Sequence, residues 1–386
     1  MHADIQIPPL LRIGGGSFAE ASSLLLRLNC KRPLVVTDPF LLKTGLAERL
    51  RSQIRNVGLE TEIFHETVPD PTTAVVEEGV RAFQQGEHDS LVSLGGGSPI
   101  DTAKAIGMLV ANGGKVRNYR VPHPIPAAGP VHVAIPTTAG TGSEVSRFTV
   151  ITDTENGEKM LLAGSPLLPS AAVVDYELSL TMPPRLTADT GTDSLTHAIE
   201  AFVSRKANPF TDGLALAAMK TIWKELPTCY REPANRKARE AMMLAATQAG
   251  IAFSNASVAL VHGMSRPLGA HFHVPHGLSN AMLLPAVTAF SVEAALDRYA
   301  VCARAMGIAQ EGDPDAVAVP QLIRSLYSRN TELEVPTPKQ FGISEEQYFA
   351  LIPTMAAQAL ASGSPQNNPR VPAVEDIETI YHQVWS

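Results

Sequence analysis

The sequence predicts an α/β domain with a parallel sheet over residues 1–182, followed by an all-helical domain over residues 183–386. In the first half, short apolar runs alternate with amphipathic helical patterns, which is typical of strand–helix–strand units. The sequence pattern changes at Met182-Pro-Pro184, and strand-like runs are few beyond these two consecutive prolines. We therefore expect an N-terminal α/β domain with a parallel sheet and an all-helical C-terminal domain.

Each predicted element has its own signal. Apolar runs bounded by Gly, Pro or Asp indicate buried parallel strands at Pro33–Asp38, Ser90–Leu94, Val131–Pro136 and Ala171–Asp175. Apolar residues at three- and four-residue spacing predict helices at Thr73–Gln85, Asp101–Ala111, Leu186–Ser204, Phe210–Leu226, Ala234–Met264 and Ser291–Met306.

Composition and charge exclude several classes of protein. A net charge of −7 gives no basic surface for nucleic acid or an anionic membrane, so no partner of either kind is expected. No apolar run approaches the ~20 residues of a membrane span, and the first residues do not resemble a signal peptide. The 3 cysteines are distant from one another and odd in number, which favours packing roles in a reducing cytoplasm.

Two loops rich in small residues follow predicted strands. Gly95-Gly-Gly-Ser98 opens a helix, where bare amides and the helix N-terminus suit a pyrophosphate, although a plain turn is the simpler interpretation. Lys104, one turn further on, has the pattern of an ordinary surface lysine. The second loop, Pro136–Glu144, offers hydroxyls to a nucleotide or merely caps a turn. Asp38 ends an early strand, either as a ribose ligand or as a helix cap.

Four side chains have the chemistry of a divalent-metal site. Asp193 and His197 are four residues apart on one predicted helix and share a face. His262 and His276 follow in the second half, and a carboxylate with imidazoles suits Fe(II) or Zn(II). His271 lies in the same segment as a candidate partner or proton acceptor, and nothing in the pattern favours a role for its neighbour His273.

The chain resembles the iron-containing (group III) alcohol dehydrogenases over essentially its whole length, nearest to the lactaldehyde reductase and short-chain alcohol dehydrogenase branches. The resemblance is carried, in order, by Gly95–Gly107, Pro136–Asp153, Gly191–Phe202 and His262–Pro285. It implies that Asp193, His197, His262 and His276 hold Fe(II), with Zn(II) also found in the family. It also implies a homodimer, a Rossmann-like dinucleotide-binding N-terminal domain and an active site in the cleft between this domain and the helical one.

The same resemblance implies binding of NAD along the first domain. Asp38 is expected to favour NAD over NADP, because a carboxylate repels a 2′-phosphate. The expected cofactor-binding residues are Asp38, Gly95, Gly96, Gly97, Ser98, Asp101, Thr137, Thr138, Thr141, Lys159 and Leu178.

One position departs from the family pattern. Many members have a histidine four residues after the third metal ligand, where this chain has Arg266. Arginine keeps its proton at neutral pH and cannot replace a histidine as a proton relay. The hypotheses for Arg266 are a cofactor phosphate, an anionic group on the substrate, or a salt bridge on the cleft wall. His271 remains the sequence candidate for proton transfer.

These inferences predict reversible hydride transfer between NAD(H) and a primary alcohol or aldehyde, with His262 and His276 acting through the metal. Two alternatives use the same scaffold: a hydroxyacid–oxoacid transhydrogenase, and a reductase of an anionic aldehyde of the semialdehyde, sulfonate or phosphonate type. The metal-independent maleylacetate reductases are disfavoured because all four ligand positions are filled. A metal-dependent hydrolase or lyase has no use for the paired nucleotide loops.

Overall fold

The computed structural model describes residues 3–155 and 157–386, which divide into two compact units. The first comprises Ile5–Thr181, and the second comprises Met182–Ser386 and takes in Asp4. The first contains the sheet and the second is helical, which confirms the predicted fold class. The expectation of a cleft between the domains stays a prediction.

The first unit is built on a parallel sheet with strand order β1-β8-β5-β4-β2-β3. Its strands are β1 (Leu10–Ile13), β2 (Pro33–Val36), β3 (Glu62–Phe64), β4 (Ser90–Gly95), β5 (Val131–Pro136), β6 (Phe148–Thr152), β7 (Lys159–Ala163) and β8 (Ala171–Val174). Its helices are α1 (Ala21–Arg27), α2 (Pro39–Lys43), α3 (Leu46–Asn56), α4 (Thr73–Gln85) and α5 (Gly97–Asn112). Strands β6 and β7 form a separate antiparallel hairpin that the strand patterns did not predict.

Both faces of the sheet are buried, as strands with continuous apolar runs require. Along β2, Leu34 and Val36 pack with Val76 and Ile106 of α4 and α5 on one face. Val35 belongs to the core on the opposite face. The alternation of successive side chains across a strand therefore gives the sheet a packed core on each of its two faces.

The second unit contains ten helices among the described residues. They are α6 (Pro184–Val203), α7 (Pro209–Arg231), α8 (Arg236–Ala256), α9 (Leu260–Phe272), α10 (His276–Ser291), α11 (Leu296–Ala305), α12 (Asp315–Glu332), α13 (Pro338–Phe341), α14 (Glu345–Ala361) and α15 (Val374–Gln383). Within the described ranges no single helix is long and apolar enough to span a membrane. The bent pair of α8 and α9 has the length and composition for a span only when the two helices are taken together.

The prediction of one helix over Ala234–Met264 was wrong. The chain breaks at Ser257, whose φ of 123° no helix allows, and α8 and α9 meet at a bend of 103°. The predicted helix Ser291–Met306 is also two pieces, because α10 ends at Ser291 and α11 begins at Leu296. The break has a consequence for His262, which lies in the first turn of α9 rather than near the end of a long helix.

Candidate metal centre and nucleotide loops

Three imidazole nitrogens converge on one carboxylate oxygen in the helical unit. The Oδ1 atom of Asp193 lies 3.4 Å from Nε2 of His262, 3.7 Å from Nε2 of His276 and 3.7 Å from Nε2 of His197. The ligand atoms of Asp193, His262 and His276 all lie within 4.8 Å of one another. The structure therefore brings together all four residues that the resemblance implies as metal ligands.

Three helices supply these side chains. Asp193 and His197 are one turn apart on α6, His262 lies in the first turn of α9, and His276 begins α10. The close approach of α10 to α6 needs a glycine after His276. A Cβ atom on Gly277 would lie 2.4 Å from the carbonyl oxygen of Asp189, so any side chain there would force the helices apart.

Glu200 is a residue of the site that sequence reasoning missed. It is 3% exposed, and its Oε1 accepts a hydrogen bond from the backbone N–H of Val261. Its Oε2 lies 2.6 Å from Nδ1 of His262. Because an ionised carboxylate only accepts hydrogen bonds, Nδ1 carries a proton, and Nε2, on the Asp193 side, is the nitrogen that can hold a metal. The signal was available: Glu200 follows Asp193 and His197 at seven and three residues, on the same helical face.

Asn280 was also missed. It is fully buried one turn after His276 on α10, and its Nδ2 donates a hydrogen bond to Asp193 Oδ1 at 2.7 Å. The same nitrogen lies 3.2 Å from Nε2 of His262 and 3.3 Å from Nε2 of His276. Asn280 therefore holds the carboxylate in place between the two imidazoles.

The charges of the cluster fit a cation. Burial by itself raises the pKa of Asp193, but the imidazoles of His197 and His276 and the contact with His262 outweigh it and hold that pKa well below its usual range. For His262, burial lowers the pKa, yet Glu200 and Asp193 outweigh it and raise the pKa to about 9. The buried carboxylate of Asp193 and the three imidazoles that face it form the nitrogen and oxygen donor set that Fe(II) or Zn(II) prefers.

Aromatic packing fixes the imidazole of His197. The ring of His197 stacks on Phe253 with centroids 4.2 Å apart and on His262 with centroids 4.6 Å apart. Phe253 is 7% exposed and comes from α8, just before the helix break. The metal cluster therefore has an apolar wall on its His197 side.

The structure does not bring His271 to the cluster. It lies nine residues after His262 on α9, which places it half a turn around the helix. Its Nε2 lies 2.8 Å from Oε1 of Gln358, on α14. His273 is exposed and ends α9 in the left-handed conformation, with φ of 55°. The prediction of His271 as a proton acceptor thus finds no support in its placement.

Arg266 lies one turn after His262 on α9. Of the three hypotheses for Arg266, the salt bridge finds no support, because Arg266 makes no ion pair in the part of the chain that the structure describes, and its Nη1 is buried without a hydrogen-bond partner. Burial lowers the pKa of Arg266 to about 10, although Glu200 acts in the opposite direction. The guanidinium therefore stays charged at neutral pH.

In the first unit, the candidate nucleotide residues lie at the carboxyl ends of neighbouring strands. Strand β4 pairs with β2 on one side and β5 on the other, and the ends of these three strands lead into Asp38, Gly95–Ser98 and Thr137–Thr141. The chain leaves β2 toward β3 and leaves β4 toward β5, so the strand order reverses between β2 and β4. Open α/β sheets bind ligands outside such a reversal point.

The two glycine-rich loops contact each other closely. Gly95 has φ of 153°, and a Cβ there would lie 2.4 Å from Cγ of Pro99. A Cβ on Gly97, the first residue of α5, would lie 3.2 Å from Cγ2 of Thr141. In the second loop, Oγ1 of Thr138 is buried without a hydrogen-bond partner among the described residues. Free helix-terminal amides beside an unsatisfied hydroxyl fit a phosphate-bearing cofactor.

Lys104 is buried, so the expectation of a surface lysine was wrong. It is 3% exposed, and its ammonium donates to the carbonyl oxygens of Ser146 and Phe148 at 2.8 Å and to Ser143 Oγ at 3.3 Å. Burial lowers the pKa of Lys104 to about 8, against the opposing effect of Asp101 and Glu144. The lysine ties α5 to the segment that follows the second nucleotide loop.

Asp101 belongs to the same buried network. Its Oδ1 accepts a hydrogen bond from Ser143 Oγ, and its Oδ2 accepts one from the backbone N–H of Val150 at 2.9 Å. Burial raises the pKa of Asp101, with Lys104 opposing. Both carboxylate oxygens thus accept hydrogen bonds inside the unit, and the side chain positions the second loop; contact of Asp101 with a cofactor stays a prediction.

The remaining cofactor candidates have mixed environments. Asp38 caps α2 by accepting a hydrogen bond from the backbone N–H of Leu41 at 2.8 Å, which leaves its second oxygen for another donor. Lys159 begins β7 and forms an ion pair with Asp70 at 2.8 Å. Leu178 packs at the margin of the core beside β8. Their contact with a cofactor stays a prediction.

Comparison with known proteins decides the family. Residues 8–176 match the description "Iron-containing alcohol dehydrogenase", and residues 187–385 match "Fe-containing alcohol dehydrogenase family, C-terminal". The chain belongs to the iron-containing alcohol dehydrogenase family. The family resemblance that the four sequence motifs indicated is thereby confirmed.

Members of the iron-containing alcohol dehydrogenase family match this chain from end to end. It is 40% identical to an NAD-dependent methanol dehydrogenase of Bacillus methanolicus, covering 97% of each chain. It is 36% identical to the lactaldehyde reductase of Escherichia coli, covering 96% of this chain and 97% of the other. A crystal structure of 1,3-propanediol oxidoreductase superposes with a TM-score of 0.95 at 33% identity over 100% of both chains. The protein is accordingly an alcohol/aldehyde oxidoreductase.

Proposed function

We propose that this protein interconverts short primary alcohols and aldehydes with NAD(H) and a divalent cation, Fe(II) or Zn(II), held by Asp193, His197, His262 and His276. The observation that carries the proposal is the convergence of three imidazole Nε2 atoms within 3.4–3.7 Å of Asp193 Oδ1. The names of the methanol dehydrogenase and the lactaldehyde reductase support a small alcohol or aldehyde as substrate.

The metal ion and the NAD(H) cofactor would supply two kinds of chemistry when bound: Lewis acidity toward a substrate oxygen, and a nicotinamide that donates or accepts hydride. The chain's own residues hold the donor atoms in place. Glu200 keeps the proton of His262 on Nδ1, and Asn280 orients Asp193. Phe253 covers one face of His197 and keeps water from it.

The substrate proton needs an acceptor other than His271, the one candidate that the sequence offered. His271 is bonded to Gln358 on the opposite side of α9, and Arg266 keeps its own proton because its pKa is about 10. We propose that the proton passes to solvent. Solvent reaches the cluster at His276, whose side chain is 42% exposed.

The decisive experiment couples metal content to turnover. Protein stripped with a chelator is expected to lose NADH oxidation with a short aldehyde and to regain it with Fe(II) or Zn(II). His262→Ala should lose bound metal and turnover together while circular dichroism shows unchanged helix content. His273→Asn is the matched control, because it alters an exposed histidine of the same segment and asparagine tolerates the left-handed conformation. Full activity of metal-free His262→Ala would overturn the proposal.

Two further properties belong to the proposal. The family resemblance supports a homodimer, which light scattering on the purified protein tests. Three free buried cysteines support a reducing compartment, the cytoplasm, which cell fractionation tests.

A further inference from the structure

Arg266 is a charged side chain whose buried end has no counter-ion. Its Nη1 atom is buried and has no hydrogen-bond acceptor within residues 3–155 and 157–386. The residue as a whole is only partly buried, so another part of the side chain remains open to small molecules. Removing a guanidinium from water is unfavourable by several kcal/mol unless an anion pairs with it.

The nearby carboxylate makes no hydrogen bond to Arg266 Nη1. Glu200 acts on the Arg266 charge, but its two oxygens accept from the N–H of Val261 and from Nδ1 of His262, each at 2.6 Å. Arg266 Nη1 therefore has no acceptor among the described residues, and the guanidinium has no carboxylate hydrogen-bonded to it at this end.

The position of Arg266 relates it to the metal cluster. It follows His262 by four residues on α9, so the two side chains share one face about one turn, or ~6 Å, apart. A small molecule whose oxygen lies at the cluster and whose other end is anionic spans this separation with a short carbon chain. A guanidinium recognises planar carboxylates and sulfonates through paired N–H donors.

We propose that Arg266 binds the anionic end of the substrate, and that the preferred substrates are short aldehydes with a terminal carboxylate or sulfonate. This inference rests on the proposed function. The aldehyde carbon takes a hydride from NADH and its oxygen takes a proton, giving the ω-hydroxy acid or hydroxysulfonate and NAD⁺. The charged end takes no part in the reaction and fixes only the orientation of the molecule.

The test compares two aldehydes with the same number of carbons, succinic semialdehyde and butanal, on the metal-loaded protein. We expect the wild type to have the higher kcat/KM for succinic semialdehyde. In Arg266→Gln the ratio of the two kcat/KM values should fall at least about tenfold, as expected for loss of a hydrogen bond to a charged group. Arg266→Lys should retain part of the ratio, because lysine keeps the positive charge but lacks the paired N–H donors of the guanidinium. Arg231→Gln removes an equal charge from an exposed position of the same unit and should leave the ratio unchanged.

Other results overturn the inference. A proportional loss with both aldehydes in Arg266→Gln means a structural role, and a raised KM for NADH with an unchanged ratio means a cofactor phosphate. If the wild type reduces butanal but does not favour succinic semialdehyde, the inference fails and the proposed function stands. If the wild type reduces neither, the proposed function fails. Thermal unfolding then tests anion binding at Arg266 independently of turnover: succinate should raise the Tm of the wild type and not that of Arg266→Gln.

Discussion

His262 donates its Nδ1 proton to Glu200 across 2.6 Å, and this bond determines which ring nitrogen faces Asp193. The carboxylate of Glu200 thereby sets the tautomer of a metal ligand that it orients from behind. The same carboxylate anchors the first turn of α9 through the N–H of Val261. Ligand chemistry and helix placement thus depend on one buried side chain.

Glu200→Gln should weaken metal binding without unfolding the helical unit. A neutral amide holds the imidazole less firmly than a carboxylate, and loss of such partners lowers metal affinity about 10–100-fold. Competition with a chelator measures the Kd for Zn(II). Glu240→Gln alters an exposed glutamate of α8 and should bind Zn(II) as the wild type does. Equal Kd values for the wild type, Glu200→Gln and Glu240→Gln would show that Glu200 does not contribute to metal binding.

Gly277→Ala should displace His276 from Asp193. The added Cβ would lie 2.4 Å from the carbonyl oxygen of Asp189, so α10 must move away from α6. We expect lower metal affinity and a lower Tm, since overpacking typically destabilises by about 1–3 kcal/mol. Gly213→Ala is the control, because its Cβ would meet nothing within 4 Å and alanine favours a helix. A Tm for Gly277→Ala at or above that of Gly213→Ala would contradict the packing argument.

The stability of the sheet unit should depend on pH through Lys104. Its pKa of about 8 in the folded chain lies below the ordinary 10.5, because burial disfavours the charged form. Between these values the unfolded chain binds more protons, so the free energy of unfolding rises with pH by roughly 1 kcal/mol per pH unit. Lys104→Met lacks this group. The stability of the wild type relative to this variant should therefore increase from pH 8 to pH 10 in denaturant titrations, and a constant difference would show that burial does not shift the lysine.

Asp38→Asn should raise the use of NADP relative to NAD. The substitution removes a charge that repels a 2′-phosphate. Asparagine caps helices as well as aspartate does, so the bond to the N–H of Leu41 is retained. Kinetics with both cofactors give the ratio of kcat/KM values. Asp38→Gly removes the cap as well, and comparison of the two variants separates a loss of charge from a loss of helix α2.

The sequence predicted those parts of the structure that local patterns encode. Four of the sheet strands and the helix over Thr73–Gln85 follow from apolar periodicity, and the metal residues follow from spacing and family resemblance. The break at Ser257 was missed because serine carries no signal for a φ of 123°; the conformation is imposed by packing. Lys104 was misjudged because its partners are mainly backbone carbonyls of a segment more than 40 residues away. Long-range acceptors of this kind leave no periodic trace in a sequence.

The donor atoms of the metal centre come from α6 and, much further along the chain, from the consecutive helices α9 and α10. A bound ion therefore works as a cross-link within the helical unit, and its binding free energy adds to resistance against unfolding. In cells that are short of the metal, the protein would unfold more readily and be degraded by proteases, in addition to losing its catalytic activity. Its abundance would then track metal supply.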